Sequence, residues 1–114
     1  MLLHYSEATI NRELFDGLIE NLIGNSVQHN PQWCSINISL TEMHGKKALV
    51  ISDNGVGSDD ETFKALNQKN DDFSRKLGEH GIGLRVVKQI SAYHGWKIHF
   101  EPNDEHGFKT TVVL

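Results

Sequence analysis

Asn21-Leu22-Ile23-Gly24-Asn25-Ser26-Val27-Gln28-His29 closes a stretch, Asn11 to His29, in which Leu14, Leu18 and Leu22 recur with Phe15, Ile19, Ile23 and Val27 beside them. That i, i+3, i+4 spacing predicts an amphipathic helix, capped at its start by Thr9 or Asn11 and stopped by Asn30-Pro31. Polar residues interrupt the pattern. Asn21, Asn25 and Gln28 fall at i, i+4 and i+7, with His29 one step on, so at about 100° per residue they share a stripe bordering the apolar arc. Asparagine is a mediocre helix former, and such a pair beside a buried face needs partners. Two readings follow: the amides bond neighbouring loops, or they form a ligand surface. An amide oxygen is a hard, neutral ligand suited to Mg²⁺ beside phosphates. Asn25 is the better placed, because Gly24 and Ser26 on either side are small.

Outward from this helix the pattern changes period. Cys34, Ile36, Ile38 and Leu40 alternate with Ser35, Asn37 and Ser39, which predicts a half-buried strand. His44-Gly45-Lys46 reads as a turn and Ala48 to Ser52 as the returning strand. A short helix is expected from Asp59 to Leu66, then a polar, mobile loop from Asn67 to His80. A second helix opens at Gly81-Ile82-Gly83-Leu84 and runs to His94, with Val86, Val87, Ile90 and Tyr93 on its buried side and Gly95 at the stop. Trp96 to Glu101 and Phe108 to Leu114 close the chain as strands around a turn at Asn103 to Gly107. Met1 to Ser6 suits a short first strand. The expected fold is α+β: a two-layer α/β sandwich, its mixed, mostly antiparallel sheet carrying helices on one face.

Composition bounds the function. With 114 residues there is room for one core, so residues 1–114 are read as a single domain. Charged residues make up 23% and the formal net charge is -4, so no basic field favours nucleic acid. No apolar run approaches the roughly 20 residues of a membrane span, and Met1 to Ser6 lacks the features of a signal peptide. Cys34 is the only cysteine, so an intrachain disulfide is impossible and a reducing, cytoplasmic setting is expected. None of the seven histidines makes a pair at zinc-ligand spacing.

Two glycine clusters carry the remaining signal. Asp53-Asn54-Gly55-Val56-Gly57 follows a buried strand. An aspartate there is able to accept from an exocyclic amine, and Gly55 and Gly57 would let backbone approach a flat ring; the plain alternative is a turn. Gly78-Glu79-His80-Gly81-Ile82-Gly83-Leu84 runs into a helix start, where backbone N–H groups and the helix dipole favour phosphate. It is neither a dinucleotide fingerprint nor a Walker A loop; the plain alternative is a hinge entering a helix.

Taken together and in this order, the three segments resemble the boxes of the sensor histidine kinase catalytic ATP-binding domain, within the wider GHKL or Bergerat-fold group that includes gyrase and MutL. Asn21 to His29 looks like the N box, Asp53 to Gly57 like the first glycine box, and Gly78 to Leu84 like the second. Phe63 sits where these kinases carry their F box. The resemblance implies ATP and Mg²⁺ as cofactors. Asn25 would hold the metal with Asn21 assisting; Gln28 and His29 would flank the nucleotide. Asp53 would take the adenine amine, with Gly55 and Gly57 at the ring. Gly81, Gly83 and Leu84 would border the phosphates, and Lys76 in the lid would contact them. On this reading Asp53→Asn abolishes nucleotide binding and leaves the fold intact.

The implied activity is protein histidine kinase, donating the γ-phosphoryl group of Mg-ATP to a histidine on a separate dimerisation domain of the same protein, with a response regulator as the next acceptor. None of the seven histidines lies in the setting of a phosphoacceptor, so the fragment by itself is expected to lack autophosphorylation and to be monomeric, a cytoplasmic part of a membrane-anchored parent without membrane contact of its own. The sequence departs from the family at Gln28, where a basic residue is usual, and at Glu79-His80, which separates the glycines. Lys69, Arg75 or Lys76 would compensate for the missing charge. Those departures keep open a degenerate nucleotide-sensing or docking module. An anti-sigma-factor-type serine kinase is a third reading, but such kinases and the gyrase-like hydrolases carry a glutamate base where this chain has Asn21. Glu20 is one helical step, roughly 100°, away from that position.

Overall fold

The computed structural model describes residues 11–29, 34–69, 79–104 and 106–114, with the side chains of residues 28, 29, 79 and 80 excepted. Seven elements follow in order: α1 (Arg12–His29), β1 (Ile36–Met43), β2 (Lys46–Asp53), α2 (Asp60–Leu66), α3 (Glu79–Tyr93), β3 (Lys97–Pro102) and β4 (Phe108–Val113). The expected first strand at Met1 to Ser6 lies outside the described residues.

The four strands form one sheet in the order β1-β2-β4-β3, antiparallel at every pairing. Register sets which residues share a face. Leu49 faces Val112 and Ile51 faces Thr110 across β2–β4, while Ile98 and Phe100 face the same two β4 residues from β3. Leu49, Ile51, Phe100 and Val112 are buried with Leu18 and Leu22 of α1, Phe63 and Leu66 of α2, and Leu84, Val87 and Ile90 of α3. The core is therefore a single layer between sheet and helices, as the two-layer α+β expectation requires.

Each helix is closed by chemistry legible in the sequence. Asn11 caps α1, its Oδ1 accepting from Leu14 N at 3.1 Å. Asp59 caps α2 by accepting from Thr62 N at 2.8 Å, so the helix starts one residue later than expected. Gly95, at φ 71°, follows α3, where only glycine takes the left-handed turn without strain. His94 joins two ends: its Nε2 accepts from Asn11 N at 3.2 Å, its Nδ1 lies 2.9 Å from Ile90 O, and its ring stacks on Trp96 at 4.1 Å.

Three expectations need correction. β1 is not half-buried: Ile38 and Leu40 share the core-side register with Ile51 and Leu49, yet are 51% and 68% exposed. The apolar face of this edge strand extends past the helical layer. The second helix begins at Glu79, so Glu79 and His80 belong to its backbone and not to the preceding loop. Asn67 is not the loose start of that loop either. Its Nδ2 donates to Phe100 O at 2.8 Å and its Oδ1 accepts from Phe100 N at 2.8 Å, closing the outer edge of β3.

Candidate functional site

Asp53 ends β2 and is the centre of the polar network between α1 and the β3–β4 turn. Its side chain is 2% exposed, in a position where an ionised group needs donors. Three are supplied: Ser26 Oγ donates to Oδ2 at 2.8 Å, and the backbone N–H groups of Gly55 and Phe108 donate to Oδ1 at 3.0 and 3.2 Å. A carboxylate has about four lone-pair positions. The one still free lies on Oδ2, which has a single donor among these bonds. The site is therefore able to accept one further N–H, such as that of an exocyclic amine.

The loop after Asp53 is shaped by backbone contact. Gly57 has φ 66°, and a Cβ there would lie 2.7 Å from Gly107 O. Gly107 has φ 111°, and its Cβ would lie 2.0 Å from Asp53 O. The β3–β4 turn is thus pressed onto the first glycine cluster at a distance only glycine allows. Asn103 Nδ2 donates to Asp53 O at 2.9 Å, and His106 Nδ1 lies 3.2 Å from Gly55 O. On the opposite side Asn54 holds Ser35, accepting from its N–H at 2.8 Å. Phe63 of α2 packs on Phe108 with ring centroids 5.1 Å apart, which locks the F-box position into the core behind this turn.

The helix pair α1 and α3 forms the other wall. The helices run antiparallel, since Gly17 lies against Ile90 and Asn21 against Gly83. A Cβ at Gly83 would come 3.2 Å from Asn21 Oδ1, so the glycine lets the helices close over that amide. Asn21 Nδ2 donates back to Gly17 O at 2.7 Å. Asn21 is in this way tied to its own helix and to α3. Asn25, one turn on, is half-buried, and among the described residues its amide has no hydrogen-bond partner.

The sequence-predicted residues are distributed as follows. Asp53, Gly55, Gly57, Asn21, Asn25 and Gly83 lie in the segments that face one another around α1, the β2 end and the start of α3. Gly81 is buried in the first turn of α3. Leu84 is 2% exposed and belongs to the hydrophobic core. The side chains of Gln28 and His29 and the whole of Lys76 lie outside the described residues. Sequence reading missed Ser26, Asn103, His106 and Gly107. In the sequence Ser26 reads as a small spacer beside Asn25, and only the fold reveals it as a donor to Asp53. Gly107 was legible as a turn glycine, but its contact with Asp53 spans 54 positions, which no local pattern records (107 less 53).

The donor set suits magnesium within limits. Among the described residues the neutral amide of Asn25 is unengaged, and a hard cation of this kind keeps waters and takes phosphate oxygens beside a few protein ligands. No group of three or more His, Cys, Asp or Glu side chains among the described residues would hold a metal by itself. Among the described residues no helix is long and apolar enough to cross a membrane.

Comparison with known proteins agrees with this geometry. The family model described as histidine kinase-, DNA gyrase B-, and HSP90-like ATPase matches residues 11–114. The chain is 27% identical over 111 residues to the sensor histidine kinase YvrG of Bacillus subtilis strain 168, covering 95% of this chain and 19% of that protein. The chain therefore spans about a fifth of that relative's length. Among solved structures, the mycobacterial sensor histidine kinase MprB superposes with a TM-score of 0.75 at 20% identity, covering 94% of this chain and 75% of that one. Full-length ShkA, solved in complex with AMPPNP, gives a TM-score of 0.72 at 16% identity, covering 94% of this chain and 23% of that one. The fold, the order of its boxes and the family match agree, and the chain belongs to the histidine kinase-, DNA gyrase B- and HSP90-like ATPases, as an ATP-binding domain of the sensor histidine kinase kind.

Proposed function

We propose that this chain is the single catalytic domain of a larger kinase, binding Mg-ATP and donating the γ-phosphoryl group to a histidine on a separate dimerisation domain of the same protein. The bond from the γ-phosphorus to the bridging oxygen breaks, a phosphorus–nitrogen bond forms on the imidazole, and ADP leaves. A response-regulator aspartate is the next acceptor. The domain works in the cytoplasm as a monomer, and its parent is anchored in the membrane.

The observation that carries this reading is the Asp53 carboxylate, buried at a strand end with three donors and one acceptor position left. That position suits the adenine amine, with Gly57 in the following loop placed beneath the ring. Asn25 is the metal ligand. Asn21 assists on the same helix face, and Gln28 and His29 extend that face along the nucleotide. Gly81 and Gly83 present the first turn of α3 to the phosphates, where N–H groups and the helix dipole favour anions, with Leu84 anchoring that turn from the core. Lys76 supplies lid charge. Phosphoryl transfer requires chiefly positioning and charge neutralisation, so this small residue set is sufficient. The AMPPNP bound to ShkA, which shares the fold, is in keeping with a nucleotide site here.

Transfer to a protein histidine is favoured over hydrolysis because an amide, which takes up no proton, occupies the position of the hydrolases' base. Asn21 stands where the hydrolases carry glutamate, and its amide nitrogen is already bonded to Gly17 O. The test is calorimetric titration of ADP and a non-hydrolysable ATP analogue, with and without Mg²⁺. Micromolar, metal-sensitive binding supports the reading and calls for adding the parent's dimerisation domain to assay phosphotransfer. Absence of binding at millimolar nucleotide replaces it with a docking module that has lost its nucleotide.

A further inference from the structure

The peptide group that carries the chain out of β2 is gripped from two sides. Its carbonyl, Asp53 O, accepts from Asn103 Nδ2 at 2.9 Å, and its N–H, on Asn54, donates to Ser35 O at 3.3 Å. Asp53 is held again through its side chain, since Phe108 N donates to Oδ1 at 3.2 Å. Asn103 and Phe108 flank one turn, between β3 and β4, so a single hairpin fixes both the carbonyl and the carboxylate of Asp53.

Asn103 is the member of that hairpin whose side chain reaches across. An asparagine in a turn ordinarily bonds backbone two residues on. Here its amide bonds a carbonyl 50 positions away, while its own N–H closes the turn onto Gly107 O at 3.4 Å. The turn is anchored beside it by Gly107, too close to Asp53 O to admit a Cβ, and by His106 Nδ1, 3.2 Å from Gly55 O. Rotation of the Asp53–Asn54 peptide would also displace the Gly55 N–H, which donates to Asp53 Oδ1 at 3.0 Å. Loss of the Asn103 donor therefore loosens the carboxylate as well as the carbonyl.

We propose that Asn103 is a positioning residue for base recognition: by holding the Asp53 carbonyl it aims the remaining acceptor position of Oδ2, and so makes the site prefer a 6-aminopurine to a 6-oxopurine. This rests on the reading that Asp53 takes the adenine amine. Asn103 acts through Asp53 and needs no contact with the nucleotide. Hydrogen bonds weaken steeply when misaligned, so a carboxylate free to tilt discriminates less between the two bases.

The test compares ADP with inosine diphosphate, which carries a 6-oxo group in place of the amine, by calorimetry on the native chain, Asn103→Ala and Asn103→Asp. Aspartate keeps the size of the side chain and removes the donor. Both variants should bind ADP about fivefold more weakly, the worth of one neutral hydrogen bond, with inosine diphosphate changed by less than about twofold. A merely structural role weakens both nucleotides alike, so the ratio of the two affinities is the readout. An unchanged ratio in both variants overturns the proposal. Should the substitutions prevent folding, the native chain still decides: in the nitrogen-labelled protein ADP should shift the Asn103 side-chain amide signals, and inosine diphosphate should shift them less. Equal shifts, or none, overturn the proposal. Asp53→Asn separates the two levels. If it leaves the ratio unchanged, the adenine reading fails and the role of Asn103 with it. If it abolishes the preference for ADP while both Asn103 variants keep it, only the role of Asn103 fails.

Discussion

The Ser26 hydroxyl donates to Asp53 Oδ2 at 2.8 Å between two residues only 4% and 2% exposed, so the middle of the N box is tied directly to the first glycine box. Removing the donor leaves a buried carboxylate oxygen unpaired. Ser26→Ala is expected to cost about 1–3 kcal/mol, read as a lower urea midpoint with unchanged slope. The same network shapes what Asp53→Asn would report. A carboxamide keeps its oxygen for the Gly55 and Phe108 N–H groups and turns its NH₂ to the Ser26 hydroxyl, which is able to rotate and accept. That substitution is expected to replace the acceptor proposed for the adenine amine by a donor and to lower nucleotide affinity with little change in the urea midpoint.

Gly107 gives the sharpest steric prediction. A methyl group at this position would sit 2.0 Å from Asp53 O, backbone that cannot turn aside. Gly107→Ala is expected to destabilise the fold by more than about 3 kcal/mol, in the range of core disruptions. Gly45 provides the control: its φ is 78°, but nothing lies within 4 Å of its would-be Cβ. Gly45→Ala should cost only about 1 kcal/mol, the conformational penalty alone. Equal costs in thermal unfolding would refute the contact.

How much of this was legible beforehand depends on range. Helix α1, a cap at Thr9 or Asn11 and the Gly95 stop follow from spacing and side-chain chemistry within one or two turns and are read from the sequence, whereas Asp59 reads there as the first residue of α2 and only the fold makes it the cap. The glycine clusters were legible as backbone that needs room. Long-range partners were not: Ser26 to Asp53 spans 27 positions and Asn67 to Phe100 spans 33. A serine inside a helix and an asparagine after one carry no local mark of a distant acceptor. The exposure of β1 was hidden for a different reason. Alternation reports which residues share a face, and it cannot report how far the opposing layer extends.

That difference is measurable on neighbouring strands. Leu40 and Leu49 face each other across β1 and β2, yet Leu40 is 68% exposed and Leu49 3%. Leu40→Thr, which keeps a strand-favouring residue, should change stability by no more than about 0.5 kcal/mol. Leu49→Ala should cost about 2–5 kcal/mol through lost burial and a residual cavity. Chemical denaturation of both variants distinguishes an open edge from a covered one; similar losses would show that β1 is covered after all.

Asn67 acts as one residue of a fifth strand. Its amide meets both the N–H and the C=O of Phe100, each at 2.8 Å. Asn67→Ala leaves both groups to solvent, at a cost of about 1–2 kcal/mol for two hydrogen bonds. Asn67→Asp is worse in kind, since a carboxylate still accepts from Phe100 N but repels Phe100 O. Hydrogen exchange at the Phe100 amide should quicken strongly in the alanine variant and less in the aspartate variant. Undiminished protection in Asn67→Ala would mean that another group covers the edge.

Asn25 separates the metal from the fold. Its amide is half-buried and has no partner among the described residues, so Asn25→Ala removes no protein hydrogen bond recorded there. Alanine is also the better helix former, by a few tenths of a kcal/mol up to about 0.7 kcal/mol. The variant should therefore fold with equal or slightly greater stability. If Asn25 is the magnesium ligand, Mg²⁺ tightens ATP-analogue binding to the native chain and not to the variant, while metal-free ADP binds both alike. A stable variant that retains the full magnesium effect would place the metal on other groups. A variant that loses metal-free ADP affinity equally would make Asn25 a contact to the nucleotide itself. Comparing the two affinities with and without metal decides among these outcomes, because stability, metal and nucleotide are each read separately.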